Sequence, residues 1–340
     1  MRKPFVLGIV PEPLRNQFFD AAMLKRLDRA AAHTSPAASG CVLIESLEVG
    51  PTDLDLSGVE VLITSWGLAP LDVATLDRVP TLRLVAHTGA SVKLFVMKEC
   101  FERGIRITQA GSAMARPVAE VALAFTLALL HQLPRFDHSL HAGTAWAEAI
   151  AAPQLDEIFG ATIGVVGASR TGRAYIEMAR GLGAQVLLYD PTVSTEQACS
   201  AGCQSVPLEE LLQRSRIVAL HAPSLPETYR MISEEQLAVM PDGAGLVNTA
   251  RAWLVDEAAL LAELVAGRLD AALDVFDEEP LPTTSAFRSL PNVLLAPHRA
   301  AGTRAGRLRQ GGIVVGEIEA LRAGTPLRHE VAADDLSHMA

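Results

Sequence analysis

One stretch near the middle of the chain constrains the fold more than any other. Residues 161–190 read ATIGVVGASRTGRAYIEMARGLGAQVLLYD. A β-type run ends at Val166, a loop follows from 167 to 172, a helical run extends to Arg180, and a second strand ends at Asp190. Gly167 permits a tight turn from strand to helix, and Gly172 lets the helix pack close to the strand. The stretch therefore predicts a strand–helix–strand unit, whose two strands lie parallel in one sheet.

The same stretch has the features of a dinucleotide site. The free amides at the start of a helix, with the positive end of its dipole, hold a pyrophosphate, and Asp190 is placed to accept hydrogen bonds from a ribose diol. Ser169 stands where such loops usually have a second glycine, and its hydroxyl is able to donate to a phosphate. Asp190 would repel a 2′-phosphate, and positions 191–195 contain no Lys or Arg to receive one. We therefore expect NAD as the cofactor rather than NADP.

Short β-type runs alternate with helical stretches along the chain, which predicts an α/β fold with parallel sheets and crossover helices. We expect two doubly wound domains, Rossmann-like or flavodoxin-like, with a cleft between them. The NAD-binding domain would span 111–297, and a discontinuous substrate-binding domain would combine 1–110 with 298–340. The predicted strands are 5–10, 41–45, 61–65, 82–87, 105–108, 162–166, 185–189, 217–220, 245–248, 271–274 and 293–296.

Composition limits the partners. The 340-residue chain has a net charge of −10 without a basic cluster, which argues against a nucleic-acid partner.

The apolar run at 118–130 is shorter than the roughly eighteen residues that a bilayer requires, so we expect a buried helix and no membrane partner. The start MRKPFVLGIVPEP is typical of a strand rather than a signal peptide, and a cytoplasmic location follows. Cys199 and Cys203 have no second ligand pair nearby, so no metal is expected.

Three polar residues follow predicted strands in the second half of the chain. Arg251 lies in LVNTARAWLVD, Glu279 in LDVFDEEP and His298 in LLAPHRAAG. The carboxyl ends of parallel strands meet at one edge, where such sheets bind ligands. An Arg fork suits a carboxylate, a histidine exchanges protons near neutral pH, and a carboxylate beside a histidine favours the imidazolium form. Taken singly, each residue is more often a surface charge or a structural residue.

A family resemblance connects these three residues with one reaction. The blocks GVVGASRTGR with YDP, HAPSLPET, MPDGAGLVNTARAWLVDEAAL, GRLDAALDVFDEEPLP and NVLLAPHRAAG together resemble the D-isomer-specific 2-hydroxyacid dehydrogenases, in the family's order and over about residues 82–310. The resemblance implies NAD-dependent interconversion of a small 2-keto acid and its D-2-hydroxy acid. It implies that Arg251 binds the substrate carboxylate and carbonyl, that His298 is the general acid/base, and that Glu279 pairs with His298.

The resemblance also implies further contacts. A homodimer would form through the segment 134–159. The amides of one loop would hold the substrate carboxylate, and these are the amides of Thr88, Gly89, Ala90 and Ser91. The implied cofactor contacts are Gly167, Ser169, Arg170, Thr171, Asp190, His221, Ala222, Pro223, Thr228, Thr249, Ala250 and Asp274.

The sequence departs from the family pattern at several positions. Lys93 and Leu94 replace an Asp-Asn pair after the substrate loop, and Ala252, followed by bulky Trp253, replaces the glycine after the arginine. Arg299 replaces an aliphatic residue beside His298. Its positive charge would either influence proton exchange by that histidine or serve as a second clamp, binding the second negative charge of a doubly charged acid.

Two other functions stay open. One is a relative specialised for formate or phosphite; formate enzymes of this group have a Gln-His pairing, which the presence of Glu279 disfavours. An NAD-sensing, corepressor-like binding protein on the same fold would keep the NAD site while turnover became incidental.

Overall fold

The computed structural model describes residues 3–31, 41–44, 56–151 and 155–338, and the chain forms two compact units. The first unit combines Met1–Met114 with Gly302–Met339, and the second is Ala115–Ala301. Glu45, which the sequence placed in the second strand, and positions 152–154 of the segment 134–159 lie outside the described residues.

The unit boundaries fall four residues later than the sequence placed them, at 114/115 and 301/302 instead of 110/111 and 297/298. Contacts explain both differences. A short 3₁₀ helix, Gly111–Ala113, packs on the long C-terminal helix of the first unit. The backbone amides of Arg299 and Ala300 donate to the carboxylate of Asp274, which holds the segment after His298 in the second unit.

The first unit is built on a six-stranded sheet. The strands are β1 Val6–Ile9, β2 Cys41–Ile44, β3 Val61–Thr64, β4 Leu84–His87, β5 Arg106–Gln109 and β13 Glu330–Val331. Their order in the sheet is β13-β5-β4-β3-β1-β2. Strands β1 to β5 are parallel and follow the flavodoxin-like order 2-1-3-4-5, and the edge strand β13 pairs antiparallel with β5. The helices are α1 Glu12–Phe18, α2 Ala21–Ala30, α3 Val73–Arg78, α4 Lys98–Glu102 and α13 Arg304–Ala323.

The second unit is built on a seven-stranded parallel sheet in the order β12-β11-β10-β9-β6-β7-β8, a doubly wound order that reverses between β6 and β9. The strands are β6 Thr162–Val166, β7 Gln185–Tyr189, β8 Gln204–Ser205, β9 Ile217–Leu220, β10 Gly245–Asn248, β11 Asp270–Leu273 and β12 Val293–Leu295. The helices are α5 Ala115–Leu130, α6 Leu133–His141, α7 Trp146–Ala149, α8 Arg170–Gly181, α9 Thr195–Ser200, α10 Leu208–Arg214, α11 Glu234–Ala238 and α12 Glu257–Val265.

The central strands of both units are short, mainly apolar runs because each sheet is covered on both faces. All four residues of β3, β4, β9, β10 and β11 are buried, which is the pattern of strands in a parallel sheet. Several helices begin where a short polar side chain accepts a hydrogen bond from a first-turn amide. These N-cap residues are Asp20, Asp72, Ser169, Ser194, Asp256 and Thr303.

The structure confirms the predicted α/β fold class. The strands predicted at 162–166, 185–189, 217–220 and 245–248 coincide with β6, β7, β9 and β10, and the other predicted strands differ only by one or two residues at their ends. The two-residue strands β8 and β13 were not predicted, because they are too short to produce an alternating or apolar pattern. The antiparallel pairing of β13 is a difference from the all-parallel sheets that the sequence led us to expect.

The helical run Gly111–Leu130 is longer than the apolar run predicted at 118–130. It contains 20 residues and is by length and composition alone long and apolar enough to cross a membrane. Half of its most apolar stretch is buried within the structure. Helix α5, its main part, packs on α8 and on β9, β10 and β11, and core packing therefore accounts for its apolar composition.

Two histidines are buried among the described residues, His87 in the first unit and His221 in the second. Burial lowers the pKa of His87 to about 4 and the pKa of His221 to about 3. A histidine in the unfolded chain titrates near pH ~6.5. Below that pH the unfolded chain binds protons that the folded chain does not, so the free energy of unfolding falls as the pH falls toward the folded pKa values.

We therefore expect the variant His87→Gln to lose less stability than the wild type between pH 6.5 and pH 4.5. The wild type should show a steeper loss, by up to about 1.4 kcal/mol per pH unit for this one group. Urea unfolding at several pH values measures the difference. His141→Gln, at an exposed position, is the control and should keep the wild-type slope. Equal slopes in all three proteins would show that His87 is not the titrating group.

Candidate active site

The loops after β6 and β9 lie side by side at the point where the strand order of the second unit reverses. The amide of His221 donates to the carbonyl of Val166 at 2.7 Å. Gly167 has a φ of +96°, and a Cβ at this position would lie 2.6 Å from the backbone nitrogen of Ala222. Doubly wound sheets bind ligands at this point, outside the carboxyl ends of the strands.

Helix α8 starts at the same place and is held very close to β6. A Cβ on Gly172 would lie 2.1 Å from the carbonyl oxygen of Gly167, so only glycine fits there. Ser169 is the N-cap of α8, and its Oγ accepts a hydrogen bond from the amide of Gly172 at 3.3 Å. Arg170 and Thr171 form the first turn, whose amides have no carbonyl partner within the helix.

Asp190 follows β7 and lies next to this helix start. Its Oδ2 accepts a hydrogen bond from the amide of Ala168 at 2.7 Å, and its Oδ1 accepts from the amide and the hydroxyl of Thr192 at 2.9 and 2.7 Å. Burial raises the pKa of Asp190, but these hydrogen bonds, with the charge of Arg173, outweigh it and hold the pKa below its usual value. The carboxylate is therefore charged at neutral pH, as a hydrogen-bond acceptor for a ribose must be.

Thr249 adds a buried hydroxyl beyond the end of β10. Its Oγ1 has no hydrogen-bond partner among the described residues, although buried polar groups usually have one. The close backbone approach at Gly167 and Gly172, the start of α8, the charged Asp190 and this unpartnered hydroxyl together fit a bound dinucleotide.

In the loop after β9, the predicted cofactor residues His221 and Thr228 contact neighbouring residues, although neither ring nitrogen of His221 has a hydrogen-bond partner among the described residues. The ring of His221 packs against Tyr175, with centroids 5.0 Å apart, and stays neutral because burial lowers its pKa to about 3. The hydroxyl of Thr228 donates to the carbonyl of Pro223 at 2.7 Å and accepts from the amide of Leu225 at 2.9 Å. These contacts stabilise the loop. A direct contact of His221, Ala222, Pro223 or Thr228 with a cofactor stays a prediction.

Arg251, Glu279 and His298 line one cavity of about 460 Å³, which we call the polar cavity. His298 Nδ1 and Glu279 Oε2 are 2.7 Å apart, and Glu279 Oε1 accepts a hydrogen bond from the amide of Phe276 at 3.0 Å. The second hydrogen bond orients the carboxylate toward the histidine. The structure thus brings together the three residues that the sequence singled out in different loops.

Arg251 is placed by the side chain of Asn248, the last residue of β10. Asn248 Nδ2 donates to the carbonyl of Arg251 at 2.9 Å, and its Oδ1 accepts from the amide of Ala250 at 3.0 Å. Burial lowers the pKa of Arg251, and the charge of Glu279 opposes that effect. An arginine keeps its proton throughout the physiological range, so a partly desolvated positive charge faces the polar cavity.

Asp274 has a role that the sequence did not predict. The residue is buried, and its two carboxylate oxygens accept from the amides of Arg299 and Ala300 at 2.8 and 2.9 Å. His298 directly precedes this pair of amides and has a φ of +50°, a left-handed conformation that costs a non-glycine residue free energy. Asp274 therefore positions the backbone of His298, and its contact with a cofactor stays a prediction.

The predicted carboxylate loop, Thr88 to Ser91, follows β4 in the first unit. Thr88 is buried, and its hydroxyl donates to the carbonyl of Thr64 at 3.0 Å. A Cβ on Gly89 would lie 2.5 Å from His87 Nε2 and 3.2 Å from the Trp66 ring. The loop is thus fixed by its own unit, and glycine is required at position 89.

The chain matches a family model that describes the NAD-binding domain of D-isomer-specific 2-hydroxyacid dehydrogenases, over residues 123–300. The chain belongs to that family. Members of the D-isomer-specific 2-hydroxyacid dehydrogenase family act on the CH–OH group of 2-hydroxy acids, and NAD is the cofactor of this dehydrogenase. The expectation drawn from the motif around Gly167 is therefore confirmed.

Individual relatives agree with this family. The dehydrogenase is 35% identical over 259 residues to a glyoxylate reductase of Korarchaeum cryptofilum, which covers 75% of this chain and 77% of the relative. It is 36% identical over 255 residues to a D-3-phosphoglycerate dehydrogenase of Mycobacterium bovis, covering 75% of this chain but only 48% of that protein. The solved structure of the TT0316 protein from Thermus thermophilus has a TM-score of 0.77 at 29% identity, covering 96% of this chain and 99% of that one.

The close contact at Gly172 gives a direct test of the NAD site. We expect Gly172→Ala to weaken NADH binding at least tenfold, because the new methyl group must push the start of α8 away from Gly167. Gly181→Ala, in the same helix, is the matched control, since a Cβ there meets nothing within 4 Å. Fluorescence titration with NADH measures both dissociation constants, and equal affinities for the two variants would contradict the assignment.

Proposed function

We propose that this dehydrogenase interconverts a small 2-keto acid and its D-2-hydroxy acid, with His298 as the general acid/base. The observation that supports the proposal most strongly is the 2.7 Å contact between His298 Nδ1 and Glu279 Oε2 in the cavity that Arg251 also lines. A histidine oriented by a carboxylate, beside an arginine, is the set that protonation of a keto-acid oxygen requires.

Each residue has a distinct task in this proposal. Glu279 accepts a hydrogen bond from Nδ1–H, which leaves His298 Nε2 to give a proton to the substrate oxygen during reduction and to remove it during oxidation. The guanidinium of Arg251 binds the substrate carboxylate and polarises the carbonyl. A contribution of the amides of Thr88, Gly89, Ala90 and Ser91 to carboxylate binding stays a prediction drawn from the family resemblance. NAD, held by the residues around Gly167, Ser169, Arg170, Thr171, Asp190, Thr249 and Ala250, supplies hydride chemistry when bound.

The named relatives indicate which substrates to try first. One is a glyoxylate reductase, and others are D-3-phosphoglycerate dehydrogenases, of which this chain spans about half the length. Glyoxylate is the smallest 2-keto acid and tests the reaction itself, because it places no demand on a side-chain pocket. An NAD-sensing role with incidental turnover gains no support from a site in which Arg251, Glu279 and His298 line one cavity.

Replacement of His298 tests the proposal. We expect His298→Asn to lower kcat for glyoxylate reduction by roughly 10²–10⁴, because asparagine cannot supply the proton. Asparagine is preferred to alanine because it tolerates the left-handed backbone at this position. NADH oxidation is measured at 340 nm, and NADH affinity is measured in parallel to show that the cofactor site is intact. Turnover near the wild-type rate with normal NADH binding would overturn the assignment of His298.

Glu279→Gln is the companion variant. Glutamine keeps a hydrogen-bonding side chain but removes the carboxylate charge that faces His298 Nδ1 at 2.7 Å. We expect kcat for glyoxylate reduction to fall, because the imidazole ring is held less firmly in its productive orientation, while NADH affinity stays at the wild-type value. A wild-type kcat in Glu279→Gln would argue against the pairing as a catalytic feature.

We also propose a homodimer formed through the segment 134–159. Several large apolar side chains in the described parts of this segment are exposed, which is unusual for a surface that stays in water. Helix α6 is anchored at its base, where Arg135 and Gln132 both bond to the buried carboxylate of Asp270. The exposed residues are Leu140, Trp146, Ile150, Leu155 and Phe159.

The dimer is tested by its mass in solution. We expect a mass near twice 36.2 kDa for the wild type and a shift toward the monomer for Trp146→Glu combined with Ile150→Glu, because two charges cannot be buried in an apolar interface without partners. Val265→Glu changes an equally apolar exposed residue outside the segment and should remain dimeric. Light scattering after gel filtration gives the masses, and a monomeric wild type would exclude the proposal.

A further inference from the structure

Two aromatic side chains without a role in the proposed chemistry line the polar cavity. The ring centroids of Tyr229 and Trp253 are 4.5 Å apart, with the planes tilted by 53°. Both rings are open to solvent, with 51% of Tyr229 and 43% of Trp253 exposed. Aromatic rings that face the inside of a concave site usually contact a ligand, because they offer a large apolar surface at low cost in conformational entropy.

Hydrogen bonds fix the orientation of this aromatic pair. The indole nitrogen of Trp253 donates to the carbonyl of Leu225 at 2.9 Å, and the carbonyl of Trp253 accepts from the amide of Arg230 at 2.8 Å. A β-bridge between Ile232 and Val255 joins the same two loops one step further on. The surface is therefore already formed before a ligand binds, which reduces the entropy lost on binding.

The charges in the polar cavity disfavour a second anionic group on the ligand. Among the described lining residues the cations are Arg230 and Arg251, besides His298 when it is protonated. Arg230 pairs with Asp256 at 3.2 Å and lies over the Tyr229 ring at 5.4 Å from its centroid. Asp277 adds a carboxylate to the lining, and Arg299, considered above as a second clamp, is not part of it.

Three buried apolar residues also border the polar cavity. Val255, Val275 and Phe276 lie in the lining of the same cavity as the aromatic pair. Once Arg251 is used for the carboxylate of a 2-keto acid, the surface that is left suits an uncharged ring better than a phosphate or a second carboxylate.

We infer, on the basis of the proposed function, that the preferred substrates are 2-keto acids with a flat, uncharged aromatic side chain. Tyr229 and Trp253 form the surface that contacts this side chain, and phenylpyruvate is the simplest member of the class. Trp253 directly follows Ala252, which is one of the departures from the family pattern noted in the sequence.

The experiment compares kcat/KM for phenylpyruvate, glyoxylate and phosphohydroxypyruvate, with NADH as the reductant. The wild type should prefer phenylpyruvate to the phosphorylated acid. Trp253→Ala should lower the ratio of kcat/KM for phenylpyruvate to that for glyoxylate by roughly 10- to 100-fold, mainly through a higher KM for phenylpyruvate. Trp253→Phe keeps an aromatic ring and should retain the ratio within about threefold. Leu182→Ala is the control, because Leu182 has the same exposed fraction as Trp253, 43%, but does not line the polar cavity.

The outcomes separate this inference from the proposed function. If glyoxylate is reduced but the substrate ratio is the same in the wild type, Trp253→Ala and Leu182→Ala, the aromatic surface has no part in specificity and the inference fails alone. A wild-type preference for the phosphorylated acid would have the same meaning. If none of the three keto acids is reduced, the proposed function itself fails. NADH affinity, measured for every variant, shows whether the alanine variant is folded, and Tyr229→Ala gives an independent test of the same surface.

Discussion

Contact between backbone atoms at the end of β6 constrains the whole second unit. The carbonyl of Gly167 lies where a Cβ on Gly172 would be, and the backbone of Ala222 lies where a Cβ on Gly167 would be. These contacts join β6, α8 and the loop after β9 without intervening side chains. The helix start and the reversal point of the sheet therefore coincide, and the helix terminus that is predicted to bind phosphate lies beside the loops that follow β7 and β9. The other predicted residues of the NAD site line a surface whose shape depends on these two glycines.

His298, the proposed general acid/base, depends on a different kind of support. His298 has a left-handed backbone, which costs a residue with a Cβ roughly 1–2 kcal/mol. Two hydrogen bonds from the following amides to the buried carboxylate of Asp274 offset that cost, since hydrogen bonds to charged groups are each worth about 1.5–3 kcal/mol. The side chain is then oriented by Glu279, which is itself oriented by the amide of Phe276. Backbone and side chain of one residue are thus fixed by two different carboxylates.

The sequence predicted those parts of the molecule that leave a local pattern. Strands such as β6 and β10 are apolar runs bounded by glycine or by polar residues, and both of their ends were predicted correctly. Strands β8 and β13 are only two residues long and leave no pattern in the sequence. Arg251, Glu279 and His298 were predicted from their positions after strands and from the family resemblance. The structural role of Asp274 was not predictable, because it depends on a contact across 25 positions of sequence. The aromatic pair was also missed, since Tyr229 and Trp253 meet only after two loops have folded.

The backbone of Arg230 shows how stability and selectivity compete in one loop. Its φ of +47° is a conformation in which glycine would be relaxed, yet the position holds a large charged side chain that covers Tyr229 and pairs with Asp256. A search for more stable variants would therefore favour glycine at this position and, in the same step, remove the guanidinium that supports one face of the aromatic surface. Thermostability and substrate discrimination in this enzyme should be engineered at separate positions, with residue 230 left unchanged.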